Sequence, residues 1–429
     1  IFLLCFLFSL TANAQIKLTL NDAIKIALEK NYDIRLAKED VLLSENNYSV
    51  GNAGFLPKVD LSASKTRTVN NTKQEYSTGQ SVDKKNAGSN STNAGIALSW
   101  TIFDGLKMFT TLSKLKEYKE LGEINLRKQI ENSVYDVIKN YYEIVRQKQN
   151  YKTALENISV SEERLKIANE KFAVGSASKF DVLRAQVDLN ADKSNLLNQE
   201  ILLSNLKTTL NNLLAFDPNY DFDVEDSIYV DDGLSFQKIK EIAFERNTSL
   251  IQAEKFKTIS SYDVNSTYSE FLPRITLNTG YNYLQSIADA GLVKSNKSYG
   301  YNYGISLSWN LFNGFNSQLA YENAKINFDK NIIYLEAIKN DIETALITSY
   351  KNYKKNLELL ALEKSNVEVA KENLDLAFEE LKLGSISPIE FREVQKNYFN
   401  SQSRLINAFY IAKVGEIDLL KQSGIIVKN

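Results

Sequence analysis

The sequence predicts a mainly α-helical protein that carries a few membrane-type β-strands and consists of two copies of one unit. Three observations predict this fold class: an internal duplication, alternating segments with one apolar face, and two very long segments with apolar residues every seven positions. Of the 429 residues, 43% are hydrophobic and 24% are charged, which excludes wholesale disorder. Only 4 prolines and 17 glycines occur, and this favours long uninterrupted elements.

Residues 1–14 have the pattern of a secretory signal peptide. Residues 1–10 form an apolar run that is too short to span a bilayer as a helix, and the small residues Ala12 and Ala14 predict cleavage after Ala14. Cys5 lies inside the apolar run with no small-residue box before it, so a lipidated Cys5 is the weaker alternative.

The predicted mature chain contains neither Cys nor His. Disulfides, Ser–His triads, Cys nucleophiles and His/Cys zinc sites are therefore excluded, and we assign no catalytic residue, cofactor or metal. Carboxylate-only chemistry of the glycosidase type stays open, although no matching constellation is visible. The net charge is -2 with both signs mixed along the chain, so a nucleic-acid partner is not expected.

The duplication gives the domain organisation. Residues 20–39 match residues 236–255 at an offset of 216, and Phe-Leu-Pro recurs at 55–57 and 271–273. LSWTIFDG from Leu98 matches LSWNLFNG from Leu307 at an offset of 209, which continues through VGSASKFDVLRAQ and LGSISPIEFREVQ. We therefore predict a first repeat over residues 15–234 and a second over 235–429, each with the same order of elements.

Four alternating segments predict two β-hairpins, at about residues 57–103 and 273–312, with strands of about ten residues. The last segment has a large apolar or aromatic residue at every second position, and small or polar residues between. One apolar face and one small polar face are typical of a membrane barrel with a wet lumen. The residues predicted to face lipid are Tyr301, Tyr303, Ile305, Leu307 and Trp309. Those predicted to face the lumen are Asn302, Ser306 and Ser308.

Two helices of some 70 residues are predicted at about 105–174 and 314–383, each on the order of 100 Å long. Their apolar residues recur every seven positions, which indicates coiled-coil packing. Helices half as long are predicted at about 20–54, 179–215, 236–271 and 388–422. The acidic stretch at 216–234 lacks bases, and we expect a solvated side structure there, with a Ca²⁺ site as the weaker alternative.

Four strands cannot close a barrel, and open strand edges in lipid leave backbone groups unpaired, so closure needs several chains. The ordered motif set, present twice, resembles the TolC family of outer-membrane efflux proteins over essentially the whole mature chain. The resemblance implies a homotrimer with a twelve-strand barrel in outer-membrane lipid, continuous with a twelve-helix periplasmic tunnel. It also implies a passive export duct that works with a periplasmic adaptor and an inner-membrane RND or ABC transporter, in efflux or type I secretion.

The resemblance places the tunnel mouth at the turns 175–181 and 384–390. Glu390 and Glu393 match two aspartates of the family, and with Asp181 they are the mouth candidates. Glu replaces Asp, and Ile386 stands where an Arg can hold the closed state, so ordinary solvated glutamates are the alternative. The tip residues expected to contact the adaptor are Gly175, Ser176, Ser178, Gly384, Ser385 and Ser387.

Two other functions stay open at this stage. A secreted coiled-coil protein for structure or adhesion would explain the long helices without a channel, but it needs no strands. An envelope hydrolase that depends on carboxylates has little support.

Overall fold

The structure is a computed structural model that describes residues 17–427. The predicted signal peptide lies outside the described residues. The helices are α1 (Leu20–Lys30), α2 (Tyr32–Asn47), α3 (Lys107–Ala173), α4 (Lys179–Leu213), α5 (Phe236–Arg246), α6 (Thr248–Tyr268), α7 (Asn316–Leu383) and α8 (Pro388–Gln422). The strands are β1 (Lys58–Glu75), β2 (Ser81–Phe103), β3 (Arg274–Ala288) and β4 (Ser295–Ser308), and they form one antiparallel sheet in chain order.

The chain divides into two compact units, and each draws segments from both repeats. The described residues within Ile1–Glu39, Ile124–Gln252 and Glu336–Asn429 form the helical unit, and Asp40–Glu123 and Ala253–Leu335 form the sheet unit. Among the helices of residues 17–427, none combines the length and apolarity needed to cross a membrane.

The long helices confirm the prediction, with 67 residues in α3 and 68 in α7. Seven-residue spacing brings one face of each helix into the core of the helical unit, because 3.5 residues per turn keeps that face against its neighbours. Val137 and Ile144 on α3 are fully buried, as are Leu346 and Tyr353 on α7. Burial of this seven-residue series ends near the C-terminus of α3, where Phe172 is exposed.

Two of the shorter helices are interrupted, which corrects the prediction of continuous helices at 20–54 and 236–271. Asn31 separates α1 from α2, and its Oδ1 accepts the backbone N–H groups of Asp33 and Ile34 at 3.0 and 3.2 Å. Its Nδ2 donates to the carbonyl of Leu213 at the end of α4. The Asn31 side chain thus caps the start of α2 and hydrogen-bonds to the end of α4, which stabilises the break between α1 and α2. Apolar periodicity does not reveal such a break.

Asn247 repeats this arrangement between α5 and α6. Its Oδ1 accepts the N–H groups of Ser249 and Leu250, and its Nδ2 donates to the carbonyl of Gln422 at 2.8 Å. Gln422 ends α8 as Leu213 ends α4, so both repeats fasten the same break to the same helix end.

The acidic stretch is packed through its apolar side chains, which corrects the prediction of a side structure, although five of its seven acidic residues are exposed to solvent. Phe222, Val224 and Ile228 are buried in the core of the helical unit. Lys148 on α3 pairs with Asp223 at 2.6 Å and with Asp226 at 2.7 Å. The bases that neutralise this stretch come from elsewhere in the chain. Residues 17–427 hold no group of three or more acidic, His or Cys side chains able to bind a metal ion.

The strands have 18, 23, 15 and 14 residues, longer than the ten predicted. β4 ends at Ser308, so Trp309 lies just past the strand in which it was predicted. The indole N–H of Trp309 donates to the carbonyl of Phe271 at 3.0 Å, and that of Trp100 donates to Phe55 at 2.8 Å. This bond fastens the end of each hairpin to the Phe-Leu-Pro segment that precedes it.

Candidate channel-forming surfaces

One face of the sheet is apolar and exposed. Tyr301 and Tyr303 are 83% and 87% exposed, and Ile305 and Leu307 are also exposed. The register places Leu61, Ile96, Tyr281 and Tyr301 side by side across the four strands. The apolar surface therefore crosses all four strands as a band, and Trp309 is exposed just beyond the end of β4. A continuous apolar surface of this kind needs cover from lipid or from another protein.

The opposite face carries small and uncharged polar side chains over most of its height. Asn278 donates from Nδ2 to the Ser306 hydroxyl at 3.0 Å, and Asn282 donates to Asn302 Oδ1 at 2.8 Å. Ser308 lies opposite Arg274 at one end of the sheet, where that guanidinium donates to the Thr101 hydroxyl. These groups bind water readily, so this face suits an aqueous lining. Its exposure to a lumen, like the contact of the other face with lipid, stays a prediction.

Both edges of the sheet are open within the described part of the chain. Among residues 17–427, β1 pairs only with β2, and β4 pairs only with β3. An unpaired strand edge is a template for a further strand, and in a bilayer each unsatisfied backbone group costs several kcal/mol. The sheet is thus incomplete as it stands in one chain.

The turns α3–α4 and α7–α8, here called the first and second tips, reverse the chain in the same way. Gly175 has φ +76° and Gly384 has φ +83°, a left-handed conformation that glycine adopts without strain. The N–H of Ser176 bonds to Lys171 O at 2.8 Å, and that of Ser385 bonds to Glu380 O at 2.9 Å. These bonds close the C-terminus of each long helix.

Each tip then starts its return helix with a capping box. The backbone N–H and hydroxyl of Ser178 donate to Asp181 Oδ2 at 3.0 and 2.7 Å, and the N–H of Ser387 donates to Glu390 Oε2 at 3.0 Å. Hydrogen bonding from the Ser178 side chain and then its backbone lowers the pKa of Asp181. Ser387 lowers the pKa of Glu390 in the same way. Two mouth candidates therefore have a local structural role.

The position of the third mouth candidate, Glu393, carries the opposite charge in the first tip. Glu393 is exposed on α8, one turn after Glu390. At the offset of 209, the equivalent residue of the first tip is Arg184, whose guanidinium lies over the Phe180 ring at 5.2 Å. The second tip therefore carries two carboxylates where the first carries one carboxylate and one guanidinium.

Sequence reasoning missed the apolar residues that flank each tip. Val174 and Leu383, equivalent positions before the turn glycines, are 78% and 81% exposed. Phe180 and Ile389, also equivalent, are exposed at the start of the return helices. Apolar residues on both sides of a glycine turn were visible in the sequence as a signal for a contact surface.

A buried polar network was also missed. Arg392 on α8 binds Asp192 on α4 with both terminal nitrogens, at 2.8 and 2.9 Å. The Ser161 hydroxyl of α3 donates to Asp192 at 2.6 Å, and Arg164 of α3 pairs with Asp188 of α4. Arg164 and Asp192 are only 4% and 7% exposed, and burial lowers the pKa of Arg164. The network joins three helices of the helical unit.

Two helices of the helical unit expose apolar stripes. On α7 the stripe recurs every seven residues: Leu362, Val369, Leu376 and Leu383. On α4 it comprises Leu183, Val187, Leu197 and Ile201. Seven-residue spacing is typical of a helix with a coiled-coil partner, and these stripes have none among residues 17–427.

Comparison with known proteins identifies the family. The family described as outer membrane efflux protein matches residues 23–215 and 241–424. The outer membrane efflux protein BepC of Brucella suis biovar 1 (strain 1330) is 18% identical over 419 residues, covering 97% of this chain and 87% of BepC. Nodulation protein T of Rhizobium leguminosarum bv. trifolii is 21% identical, covering 91% of this chain and 82% of that protein.

Solved channel structures have the same fold. The CmeC outer membrane channel of Campylobacter jejuni matches with a TM-score of 0.75 at 20% identity, covering 95% of this chain and 86% of CmeC. The outer membrane protein VceC of Vibrio cholerae matches with a TM-score of 0.76 at 14% identity, covering 94% and 96%. The open-state MtrE channel of Neisseria gonorrhoeae matches with a TM-score of 0.74 at 15% identity, covering 96% and 90%.

Since the family match spans most of both repeats, the chain belongs to the outer membrane efflux protein family. It is an efflux channel protein of the outer membrane. The fold class predicted from the sequence is confirmed, and the secreted coiled-coil alternative finds no support.

Proposed function

We propose that three copies of this chain form the outer-membrane duct of a tripartite efflux or type I secretion assembly, and that the duct conducts substrates passively. The sheet carries this proposal. It has one exposed apolar face, one small polar face and two open edges. These are the properties of a segment of a larger membrane barrel.

Closure between copies would satisfy both edges at once. β1 belongs to the first repeat and β4 to the second, so β1 of one protomer can pair with β4 of the next. The exposed stripes on α4 and α7 also belong to different repeats and offer the same head-to-tail pairing. Two different surfaces that meet head-to-tail generate a ring when the rotation closes. Three chains of four strands would give the twelve-strand barrel.

The polar face would line the pore without selecting its cargo. Asn278, Asn282, Asn302 and Ser306 bear no charge and bond to one another, so they offer water and polar solutes a neutral path. We propose no catalytic step for the duct, and selection of the substrate belongs to the pump.

We propose that the tips contact the periplasmic adaptor of an RND or ABC pump and form the mouth of the duct. Exposed Val174, Phe180, Leu383 and Ile389 support a protein contact there, beside the predicted Gly and Ser positions. Asp181, Glu390 and Glu393 would contribute carboxylates to the mouth, and a carboxylate ring favours cations. Arg184 in the first tip would moderate that preference.

The oligomer and the pore can be tested together. The purified chain in detergent should be a trimer by light scattering, and it should form long-lived open pores in a planar lipid bilayer. A monodisperse monomer that keeps its strand signal in circular dichroism would contradict the proposal, and so would a trimer that never conducts.

A further inference from the structure

The outward cations of the sheet are concentrated in two neighbouring rows. Across the strands, Lys65, Thr92, Gln285 and Lys297 form one row on the apolar face, and Arg67, Asn90, Ile287 and Ser295 form the next. The register therefore places Lys65 and Lys297 in one row and Arg67 in the adjacent row, and no residue of either row is acidic. All three are exposed. We call these three residues the basic rim.

The basic rim borders the apolar band directly. The row below Lys65 contains Ala63, Ala94, Tyr283 and Tyr299, and the row below that contains Leu61, Ile96, Tyr281 and Tyr301. Rows on one face are two residues apart, about 7 Å along a strand. The Lys297 Nζ lies 5.5 Å from the Tyr283 ring centroid and 5.9 Å from that of Tyr299. The ammonium group of Lys297 therefore lies against the aromatic row at the boundary of the band.

The other face of the same strands lacks this charge. At these heights it presents Ser64, Asn93, Leu284 and Ser298, then Thr66, Ser91, Ser286 and Asn296. General solubility would not place the cations on one face alone. Segregation to the apolar face, at the edge of the apolar band, indicates a partner that lies beside the barrel and carries negative charge.

We propose that the basic rim binds the phosphate groups of an anionic glycolipid in the outer leaflet. This inference rests on the proposed barrel, because it requires the apolar face to contact lipid. The rim lies toward the hairpin turns of the sheet, away from the strand ends that lead into the long helices. In the proposed duct the long helices extend into the periplasm, so the rim is on the side of the outer leaflet. Phosphates there would meet Lys and Arg donors in charge-assisted bonds.

Assembly would complete the basic rim. Lys65 and Arg67 lie on the edge strand β1, and Lys297 lies on the opposite edge strand β4. When β1 of one protomer pairs with β4 of the next, the three cations of a rim come from two neighbouring chains on adjacent strands. A trimer therefore has three such rims, one at each junction between protomers.

The test uses the purified full-length trimer and two lipids, bisphosphorylated lipid A and its dephosphorylated form, with bound lipid counted by native mass spectrometry. Wild-type trimer should retain phosphorylated lipid A about tenfold or more better than the dephosphorylated lipid. The variant K65Q/R67Q/K297Q should lose this difference. The matched control K73Q/K85Q/K294Q removes the same charge from the hairpin ends and should keep it. Inorganic phosphate at the same concentration should not displace the lipid.

Two results would overturn the inference. If the conducting wild-type trimer binds both lipids equally, or if the rim variant binds phosphorylated lipid A as wild type does, the basic rim does not recognise lipid phosphate. Displacement by inorganic phosphate alone would assign the rim to free anions instead. A wild-type chain that forms neither trimer nor pore would overturn the duct itself, which distinguishes that failure from failure of the rim.

Discussion

The two repeats of this chain share the devices that shape the backbone and differ in the charges they present. Both break a helix at an Asn that caps the next helix, both tie a Trp indole to the Phe-Leu-Pro segment, and both form a tip from a glycine turn and a capping box. The charges follow no such symmetry, since Arg184 stands opposite Glu393 and Leu183 stands opposite Arg392. The duplication accounts for the shared backbone features. The positions at which the repeats differ in charge mark the surfaces where their functions differ.

The largest expected effect comes from the asymmetric network. R392M should destabilise the helical unit by about 3–5 kcal/mol, because it leaves Asp192 buried without its cation. Its counterpart in the first repeat, L183M, changes an exposed side chain and should cost under about 0.5 kcal/mol. Urea unfolding followed by circular dichroism at the helix band measures both.

A second variant keeps this prediction testable if R392M fails to fold. R392M/D192L removes both charges and should recover most of the lost stability, since no buried charge then lacks a partner. Equal stability of R392M and wild type would mean that the network contributes nothing.

The next effect compares the two hairpins at equivalent positions. L98R and L307R place a guanidinium on the apolar face of each hairpin, and each should cost about 2–4 kcal/mol if the site lies near the bilayer midplane. S306R, on the polar face next to Leu307, should cost far less. Folding into lipid vesicles during urea titration gives the three values. If arginine costs the same at positions 306 and 307, the assignment of the two faces to lipid and lumen is wrong.

The shared helix breaks should respond alike. N31A and N247A each remove a cap and leave one carbonyl, of Leu213 or Gln422, without its donor. We expect about 1–2 kcal/mol from each, with the two values within experimental error. Thermal unfolding measures the pair. A large difference between the two values would show that one helix break contributes more to the stability of the protein than the other.

The smallest effect is expected at the tips, in selectivity and not in stability. E393Q should lower the preference of the pore for cations in planar-bilayer recordings, whereas R184Q should raise it. Unchanged selectivity in both variants would identify these residues as ordinary solvated charges. Serine hydrogen bonds lower the pKa values of Asp181 and Glu390. Both carboxylates should therefore stay charged as the pH falls through the usual carboxyl pKa, and the stability that they give to the helix caps should be lost only below that pH.

Most of the helices and strands could be predicted from the sequence because their apolar residues recur at regular intervals. The bounds predicted for the two long helices lie within two residues of the ends of α3 and α7, and strict alternation located β3 and β4. The acidic stretch was misjudged even though Phe222 and Val224 alternate with charged residues, a pattern of a packed extended segment. Its partner Lys148 lies some 75 residues away in the sequence, and no local pattern links the two.

The candidate site was less accessible to sequence reasoning. A glycine turn and a following Ser identified both tips, but the local engagement of Asp181 and Glu390 depends on side-chain direction. The Asn breaks were open to detection, since Asn31 and Asn247 occupy matched positions and Asn favours helix starts. The contact between Arg392 and Asp192 links helices 200 residues apart, and no spacing rule predicts it.

If the sheet is part of a membrane barrel, its two faces meet different solvents, and adjacent single cysteines can distinguish lipid from water. Leu307→Cys and Ser306→Cys, each in a chain whose only other cysteine lies in the predicted signal peptide, would be reconstituted as trimers in lipid vesicles. We expect a charged, membrane-impermeant thiol reagent to modify the cysteine at 306 and to reduce pore conductance, while the cysteine at 307 stays unmodified. Equal modification of both, or modification at 307 alone, would contradict this expectation.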